Sequence, residues 1–569
     1  MVLLFLVIFC FTSAHFMADT VVYSQAVIRC ERGLPSPNYR SKNSNPFWDF
    51  GHLLWRPAGW LTLQIARPLV TSVAHHSLRA AVLLVLIGLN CVASVACVIC
   101  FSAFAGNMVE NRWAVAAATV GFFCADGFLN YAHTGNAYVI GLTWLVLGMW
   151  LLSIRTIRKY MQEVLAGSAL ALAVLFWFPF VFVIPAAVAI IWIQKPESER
   201  LRSAVRVVGC CFGFGIAAYT VPVLILQMNS LGDIKAWVLA AGHGQIEPGG
   251  FRALARLAFS MPRSLVNMGT DGIILKRFVT HDPYAPVTVP SLLRLGWWKL
   301  VAIYLTVCVV GCELWRTSRG RTILLIVALA TVPIFFFAVF IFESGSIERY
   351  LPLYPFLFLS LGFVLASERT SQFSRIWLMC FVVMAAAVNI NGMRRDRLNA
   401  EREKVQSRIS GLASSLGPND LVIAVNEQDS LAQFRQNHPL DDINISSQWH
   451  TYDLLEINTE RLARWREDFA IRVMRTWENA GTVWIPQRLR QAAPQPEWNW
   501  VEGDDKRITW PALNAFVLGL EVGPVVGGED GFEALLKTDN NRRILTKFIG
   551  SAAEQQSSET PSSRYEGRQ

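Results

Sequence analysis

VLAGSALALAVLFWFPFVFVIPAAVAIIWI, residues 164–193, is the stretch on which the fold turns. It runs for thirty residues without an ionisable side chain and is interrupted by Pro179 and Pro185. A helix needs only about 20 apolar residues to cross a bilayer, so this run is too long for one straight span. Proline removes a helical hydrogen bond and favours a break. The stretch therefore predicts two short helices that turn near Phe176–Phe180. Basic residues flank it: Arg155, Arg158 and Lys159 on one side, Lys195, Arg200, Arg202 and Arg206 on the other. If the chain turns back at Pro179, both basic loops face the same side, as does a third made by Arg316, Arg319 and Arg321. Short basic loops stay on the cytoplasmic side.

Working outward, further spans are expected at Leu78–Gly106, Trp113–Asn130, Tyr138–Ile154, Val205–Gln227, Leu300–Trp315, Ile323–Phe342, Leu351–Ala366 and Ile376–Ile390. The opening run, Met1–Ala18, lacks a positive n-region and a clear small-residue cleavage site, and reads as a retained transmembrane helix. A cleaved signal peptide and an upstream start are the alternatives. The total is about eleven spans. Alternation places the loops Asp19–Ser77 and Met228–Leu295 on the outer face. It also places the C-terminal part outside, although Arg394, Arg395 and Arg397 beside the last span weigh against this.

The composition agrees with a membrane body. The chain is 53% hydrophobic and 16% charged over 569 residues, with a mean hydropathy of +0.36. Soluble domains carry about a quarter charged residues. Charge becomes frequent only after Asn391, so the expected division is a transmembrane domain at 1–391, a soluble α/β domain at 392–550 and a disordered tail at 551–569. In the soluble part, Arg394–Leu416 reads as a helical connector and Gly417-Pro418-Asn419-Asp420 as a turn. Leu421–Val425 and Thr482–Ile485 read as strands, and Arg461–Asn479 as a helix capped by Asn458 or Thr459 and stopped at Gly481. The net charge of +9 does not mark a nucleic-acid binder, because the cations sit in short clusters between apolar runs. Most of the eleven cysteines lie inside apolar segments, and no Cys or His spacing suits a disulfide framework or a metal.

Three polar clusters border the membrane. Asp19 closes the first apolar run and is followed by Thr20, Tyr23 and Gln25. A partly desolvated carboxylate there makes a good proton acceptor, although an acidic residue at a helix end also simply marks the water boundary. The second cluster runs from Phe47 to Trp60 and contains Asp49, His52, Arg56 and Pro57. It suits a short interfacial helix on which His52 and Arg56, four apart, share a face toward an anionic headgroup; the plain alternative is an aromatic belt with a snorkelling arginine. The third is Glu348-Arg349-Tyr350-Leu351-Pro352-Leu353-Tyr354-Pro355, whose arginine could take a phosphate bidentately or merely flank a span. Asp126 within a span must face protein or water. His133, Asn136, Asp233, Lys235, His243, Gln245, Lys276 and Arg277 are weaker candidates in the outer loops.

Taken together, the three clusters resemble the GT-C superfamily of membrane glycosyltransferases, in particular bacterial relatives of protein O-mannosyltransferases and of the aminoarabinose transferase that modifies lipid A. The residues that carry the resemblance are Ala18-Asp19-Thr20-Val21-Val22-Tyr23, His52 to Leu61, the paired helices Ala166–Ile193, and Arg349 to Pro355. It extends over the first 390 residues or so. Thr20 stands where many relatives have a second acid, and Asn136 where relatives often place another, which gives no support to a divalent metal. The resemblance implies inverting transfer of a hexose or pentose from a polyprenyl-phosphate sugar on the outer face of the plasma membrane, with no cofactor. Asp19 would act as general base, Arg349 and Tyr350 with Arg56 and His52 would hold the donor phosphate and lipid, and Tyr23, Asp49 and His243 would contact substrate. Partners would be the lipid-linked donor, an envelope lipid, glycan or protein acceptor, and membrane lipids. A non-catalytic subunit of envelope polysaccharide assembly or export, or a transporter, are the alternative classes.

Overall fold

The computed structural model describes residues 1–15, 19–33, 47–74, 78–154, 159–240, 250–268, 290, 297–341, 344–424, 450–453, 464–491, 510–528 and 530–558. The chain is an α-helical polytopic membrane protein with a small C-terminal α/β unit. It divides into two compact units, with Met1–Gly269 and Gly296–Leu398 in the first and Asn399 opening the C-terminal one.

The first unit begins with α1 (Val2–Phe11), α2 (Thr20–Arg32), α3 (Trp55–Val73), α4 (Leu78–Met108), α5 (Arg112–Cys124), α6 (Asp126–Ala132), α7 (Tyr138–Ser153) and α8 (Lys159–Phe176). It continues with α9 (Ile184–Gln194), α10 (Glu197–Ile225), α11 (Leu231–Ala240), α12 (Gly250–Leu265), α13 (Trp297–Trp315), α14 (Ser318–Phe340), α15 (Tyr354–Ala366) and α16 (Gln372–Gly392). Among the described residues, six helical segments are long and apolar enough to cross a membrane, and a seventh is reached if the bent pair α5–α6 is one span. Four shorter apolar helices accompany them: Val2–Phe11, Tyr138–Ser153, Tyr160–Phe176 and Phe178–Gln194. Length and composition thus support six or seven of the eleven or so spans that the sequence predicts.

The break at Pro179 is present. Trp177 is extended, a 3-10 turn follows over Phe178–Val183, and α9 starts with Pro185 in its first turn, where a missing N–H costs nothing. Small residues let the helices close up; a Cβ on Gly167 of α8 would lie 2.6 Å from the Val207 carbonyl of α10.

Three boundaries differ from the sequence reading. The opening helix ends at Phe11 rather than Ala18, because Thr12 bridges to Arg394 and the Ser13 amide donates to the Met393 carbonyl. The Trp113–Asn130 span is bent by 61° at Ala125, with the Asn389 amide donating to the stranded Cys124 carbonyl (2.7 Å). The helix expected around Phe47–Trp60 starts only at Trp55, with Pro57 in its first turn, so His52 and Arg56 do not share a helical face. Within this unit the Ile347–Ala366 segment is central, 78% of its apolar window buried, whereas only 11% of the α10 window is, leaving side chains such as Leu224 and Ile216 outward for lipid.

The C-terminal unit is organised by a five-stranded sheet of order β2-β1-β3-β5-β4: β1 (Leu421–Ala424), β2 (His450–Asp453), β3 (Val483–Pro486), β4 (Val522–Val526) and β5 (Phe532–Leu535). β2, β1 and β3 are parallel, and β5 and β4 continue antiparallel. Both faces of β1 are buried. Leu421 and Ile423 pack with α18 (Trp465–Glu478) and α19 (Trp510–Leu518), and Val422 and Ala424 pack with Ile409 and Leu412 of α17 (Arg395–Ala413). The Asp420 carboxylate accepts from the Gly417 and Thr482 amides and the Trp484 indole, fixing the expected turn against β3. The Arg461 helix begins at Trp465, and residues 454–463, with Asn458 and Thr459, lie outside the described residues. α20 (Asp539–Ser558) runs past Ser551, where the disordered tail was placed, since Ala552, Ala553, Glu554, Gln555 and Gln556 are all good helix formers.

Candidate active site

Asp19 precedes the first turn of α2, its carbonyl accepting from the Tyr23 amide. Its carboxylate does not cap that helix. Instead Oδ2 accepts from the Tyr138 hydroxyl at 2.8 Å, which ties it to the start of α7. Thr20 reaches the same turn, its Oγ1 accepting from the Gly135 amide at 3.0 Å. Gly135 is needed there, because a Cβ would lie 2.9 Å from both Leu86 and Thr20 side chains. Asn136 is buried and donates to Thr134 Oγ1, while Asn90 donates to the Thr134 and Asn136 carbonyls. The position at which relatives of the resembled family often carry an acid is therefore part of the turn's own hydrogen bonding.

The second cluster folds back onto the broken helix pair. Asp49 Oδ1 accepts from the Gly51 amide at 2.9 Å, and Oδ2 accepts from Arg56 at 2.6 Å, both side chains of that ion pair being buried. The Gly51 carbonyl accepts from the Phe178 amide and the Leu54 amide donates to the Leu175 carbonyl, so the loop is laced to the break between α8 and α9. His52 approaches the Phe176 carbonyl through Nδ1 at 3.3 Å, and its ring packs edge-on to Tyr23 at 5.2 Å. Burial lowers the His52 pKa despite the opposing pull of Asp49 and Asp19, so the ring is neutral near pH 7. Burial likewise pushes the Tyr23 hydroxyl well above its ordinary range, helped by Asp19 and then Asp49.

The third cluster arrives from the far end of the unit. Glu348 Oε2 accepts from the Tyr131 hydroxyl at 2.6 Å. The Tyr131 ring stands edge-on to Tyr138 at 4.9 Å, and Tyr138 lies 4.8 Å from Trp177. The Arg349 guanidinium sits 5.8 Å from the Trp177 ring and 3.9 Å from Glu348 Oε1. Tyr131, Tyr138 and Trp177 thus connect all three clusters. Two carboxylates, Asp19 and Glu348, each take a buried tyrosine hydroxyl, and two arginines stand beside carboxylates at the edges.

Of the residues singled out from sequence, Asp19, Tyr23, Asp49, His52, Arg56 and Arg349 are brought together. Tyr350 is not; its hydroxyl donates to the Ser344 carbonyl and meets Ser260 Oγ at 3.2 Å. His243, Gln245, Lys276 and Arg277 lie outside the described residues. Asp126 belongs to a separate buried group, accepting from Asn267 at 2.9 Å. Sequence reasoning missed Tyr131, Tyr138 and Trp177, and gave Glu348, quoted in the third cluster, no role of its own. Glu348 neighbours Arg349 and Trp177 stands at the helix break, which are the signals that could have found them. Among the described residues no group of three or more His, Cys, Asp or Glu side chains is placed to hold a metal ion.

No family model matches the chain. No curated protein matches it. Among solved structures it is similar to ArnT from Cupriavidus metallidurans bound to undecaprenyl phosphate, with 11% identity over 95% of this chain and 97% of that one and a TM-score of 0.48. The apo form of the same protein gives 11% identity over 95% and 98%, at a TM-score of 0.45. An Archaeoglobus fulgidus oligosaccharyltransferase tethered to an acceptor peptide containing the NVT sequon gives 10% identity over 91% of this chain and 70% of that one, at 0.44.

Proposed function

We propose that this chain is an integral membrane glycosyltransferase that moves a sugar from a polyprenyl-phosphate donor to an envelope lipid, glycan or protein, with inversion. The carrying observation is that three segments separated by up to 330 positions, around Asp19, Arg56 and Arg349, meet on one set of tyrosines and one tryptophan. The order of these motifs, which resembles that of the GT-C superfamily, supports the same reading.

Asp19 acts as general base. Tyr138 hydrogen-bonds its carboxylate through Oδ2, and Oδ1 takes the proton of the acceptor hydroxyl. The acceptor proton passes to Asp19, the acceptor oxygen bonds to the anomeric carbon, and the glycosidic bond to phosphate breaks with its electron pair leaving on the polyprenyl phosphate. The growing negative charge calls for a cation placed in advance. Arg349 is the first choice, because its guanidinium stands 5.8 Å from the Trp177 ring, which in turn packs 4.8 Å from Tyr138, whereas Arg56 is tied to Asp49 at 2.6 Å. His52, neutral, serves as a hydrogen-bonding neighbour and not as a charge. The active site faces the extracytoplasmic side of the inner membrane, and the unit after Asn399 lies outside as an accessory to acceptor binding.

The test is transfer from polyprenyl-phosphate sugars to envelope acceptors by wild-type protein and Asp19→Asn. The expected loss is roughly 10²–10⁴-fold in kcat, the usual contribution of a general base. Undiminished transfer by Asp19→Asn would remove Asp19 as base. A wild type inert across donors would turn the reading toward a non-catalytic assembly subunit.

A further inference from the structure

Helix α12 is embedded by one face and bears cations on another. Ser260 and Ser264 are buried, Ser260 Oγ reaching Tyr350, and the Tyr354 hydroxyl donates to the Ser264 carbonyl. Leu257, Met261 and Leu265 pack on the main core from the same helix. Arg256 and Arg263 are seven residues apart, two turns on one helical face, and both are exposed. Among the described residues neither forms a salt bridge. Asp126, on which the Arg263 charge acts, is buried and already bonded to Asn267.

The start of α13 abuts the end of this helix. The Tyr304 hydroxyl donates to the Ala258 carbonyl, and Val266, Met268 and Ile303 form a small core between them. At that start Trp297 and Trp298 are exposed, Lys299 lies 6.0 Å from the Trp298 ring, and its Nζ donates to the Asn267 carbonyl at 3.1 Å. Paired tryptophans and a lysine opening an apolar span mark the level of the lipid headgroups. An amphipathic helix with a basic face, an exposed Leu254 and this belt beside it suits the same level.

We infer that α12 lies in the headgroup layer and that Arg256 and Arg263 bind the phosphate of anionic glycerophospholipids, with Trp297 and Trp298 setting the depth. The site is separate from the transfer chemistry and does not depend on that reading. Charge complementarity selects the occupant: two exposed guanidiniums at headgroup depth attract an anionic lipid and gain little from a zwitterionic one.

The test is hydrogen exchange of residues 250–265 in full-length protein, reconstituted in phosphatidylcholine nanodiscs titrated with phosphatidylglycerol. Phosphatidylglycerol should slow exchange of α12. Each of Arg256→Gln and Arg263→Gln should raise the phosphatidylglycerol fraction needed for half protection by about fivefold, the share of one basic residue at a charged surface. Arg256→Lys with Arg263→Lys should keep most of the response. Equal exchange in both lipids, or a response that survives the double glutamine variant, overturns the inference. So does protection by inorganic phosphate or by polyprenyl phosphate in place of phosphatidylglycerol. Should the variants not fold, wild-type protein in high salt decides, because screening must erase the lipid response.

Discussion

Two arginine–carboxylate pairs flank the same aromatic cluster, and they are built differently. Arg56 and Asp49 meet at 2.6 Å with both side chains buried, and Asp49 is further fixed by the Gly51 amide. Arg349 and Glu348 stand 3.9 Å apart, Glu348 being taken up instead by the Tyr131 hydroxyl. A buried ion pair at hydrogen-bonding distance is costly to break, because removal of one partner strands the other charge. A pair at 3.9 Å gives less Coulomb energy than one at 2.6 Å, although Arg349 is buried as well. Under the proposed function, the first pair is scaffold for the loop that carries His52 and the second contributes its arginine to the donor phosphate.

The largest expected effect tests the scaffold. Arg56→Gln should cost about 3–5 kcal/mol of stability, read as a lowered midpoint of unfolding in detergent, by leaving Asp49 buried and unpaired. A variant as stable as wild type would place the pair in solvent reach and dissolve the contrast. Next comes Arg349→Gln, for which kcat should fall by roughly 10²–10³, the loss seen when one preorganised charge-stabilising donor is removed, with a smaller loss of unfolding midpoint than in Arg56→Gln. The reverse pattern, a stability loss with unimpaired turnover, would exchange the roles of the two pairs. Tyr138→Phe should have a smaller effect. It removes one hydrogen bond to a charged group, about 1.5–3 kcal/mol, and should lower kcat/KM by roughly tenfold to a hundredfold. Tyr131→Phe, which leaves the Asp19 contact in place, should do less to the rate, and an equal loss would mean that Glu348 matters as much as Asp19.

How much of this was legible in sequence depends on the range of the cause. Pro179 announced its own break, because a missing donor acts on its own turn. Leu421–Ala424 and Val483–Pro486 could be read from short apolar runs next to turn residues, since the parallel strands are buried on both faces. The bend at Ala125 could not be read. No proline or glycine stands at that position, and the carbonyl freed there is satisfied by Asn389, 265 positions away. The early end of α1 has the same kind of cause, in the pairing of Thr12 with Arg394. In the site, motif residues were visible as types, but Tyr131, just past one expected span, and Tyr138, opening the next, carried no signal until the fold set their hydroxyls on Glu348 and Asp19.

The smallest effect concerns two histidines, one of them on the scaffold side. His52 lies beside the Arg56–Asp49 pair, and burial lowers its pKa although two carboxylates act to raise it. His15, which follows α1, is lowered to about 4 by burial and then by Arg263. For a group whose folded pKa is depressed below the unfolded value, the unfolded chain binds the proton first as pH falls. The stability they supply is therefore present above about pH 6.5 and is lost as pH drops toward the folded values. Unfolding midpoints should decline over that window in the wild type. His15→Gln and His52→Gln should each flatten the decline while leaving the neutral-pH contrast between Arg56→Gln and Arg349→Gln intact. A wild type whose midpoint rises on acidification would mean that the carboxylates outweigh burial at His52, making it a cation beside Asp49 and turning the tight pair into a three-charge network.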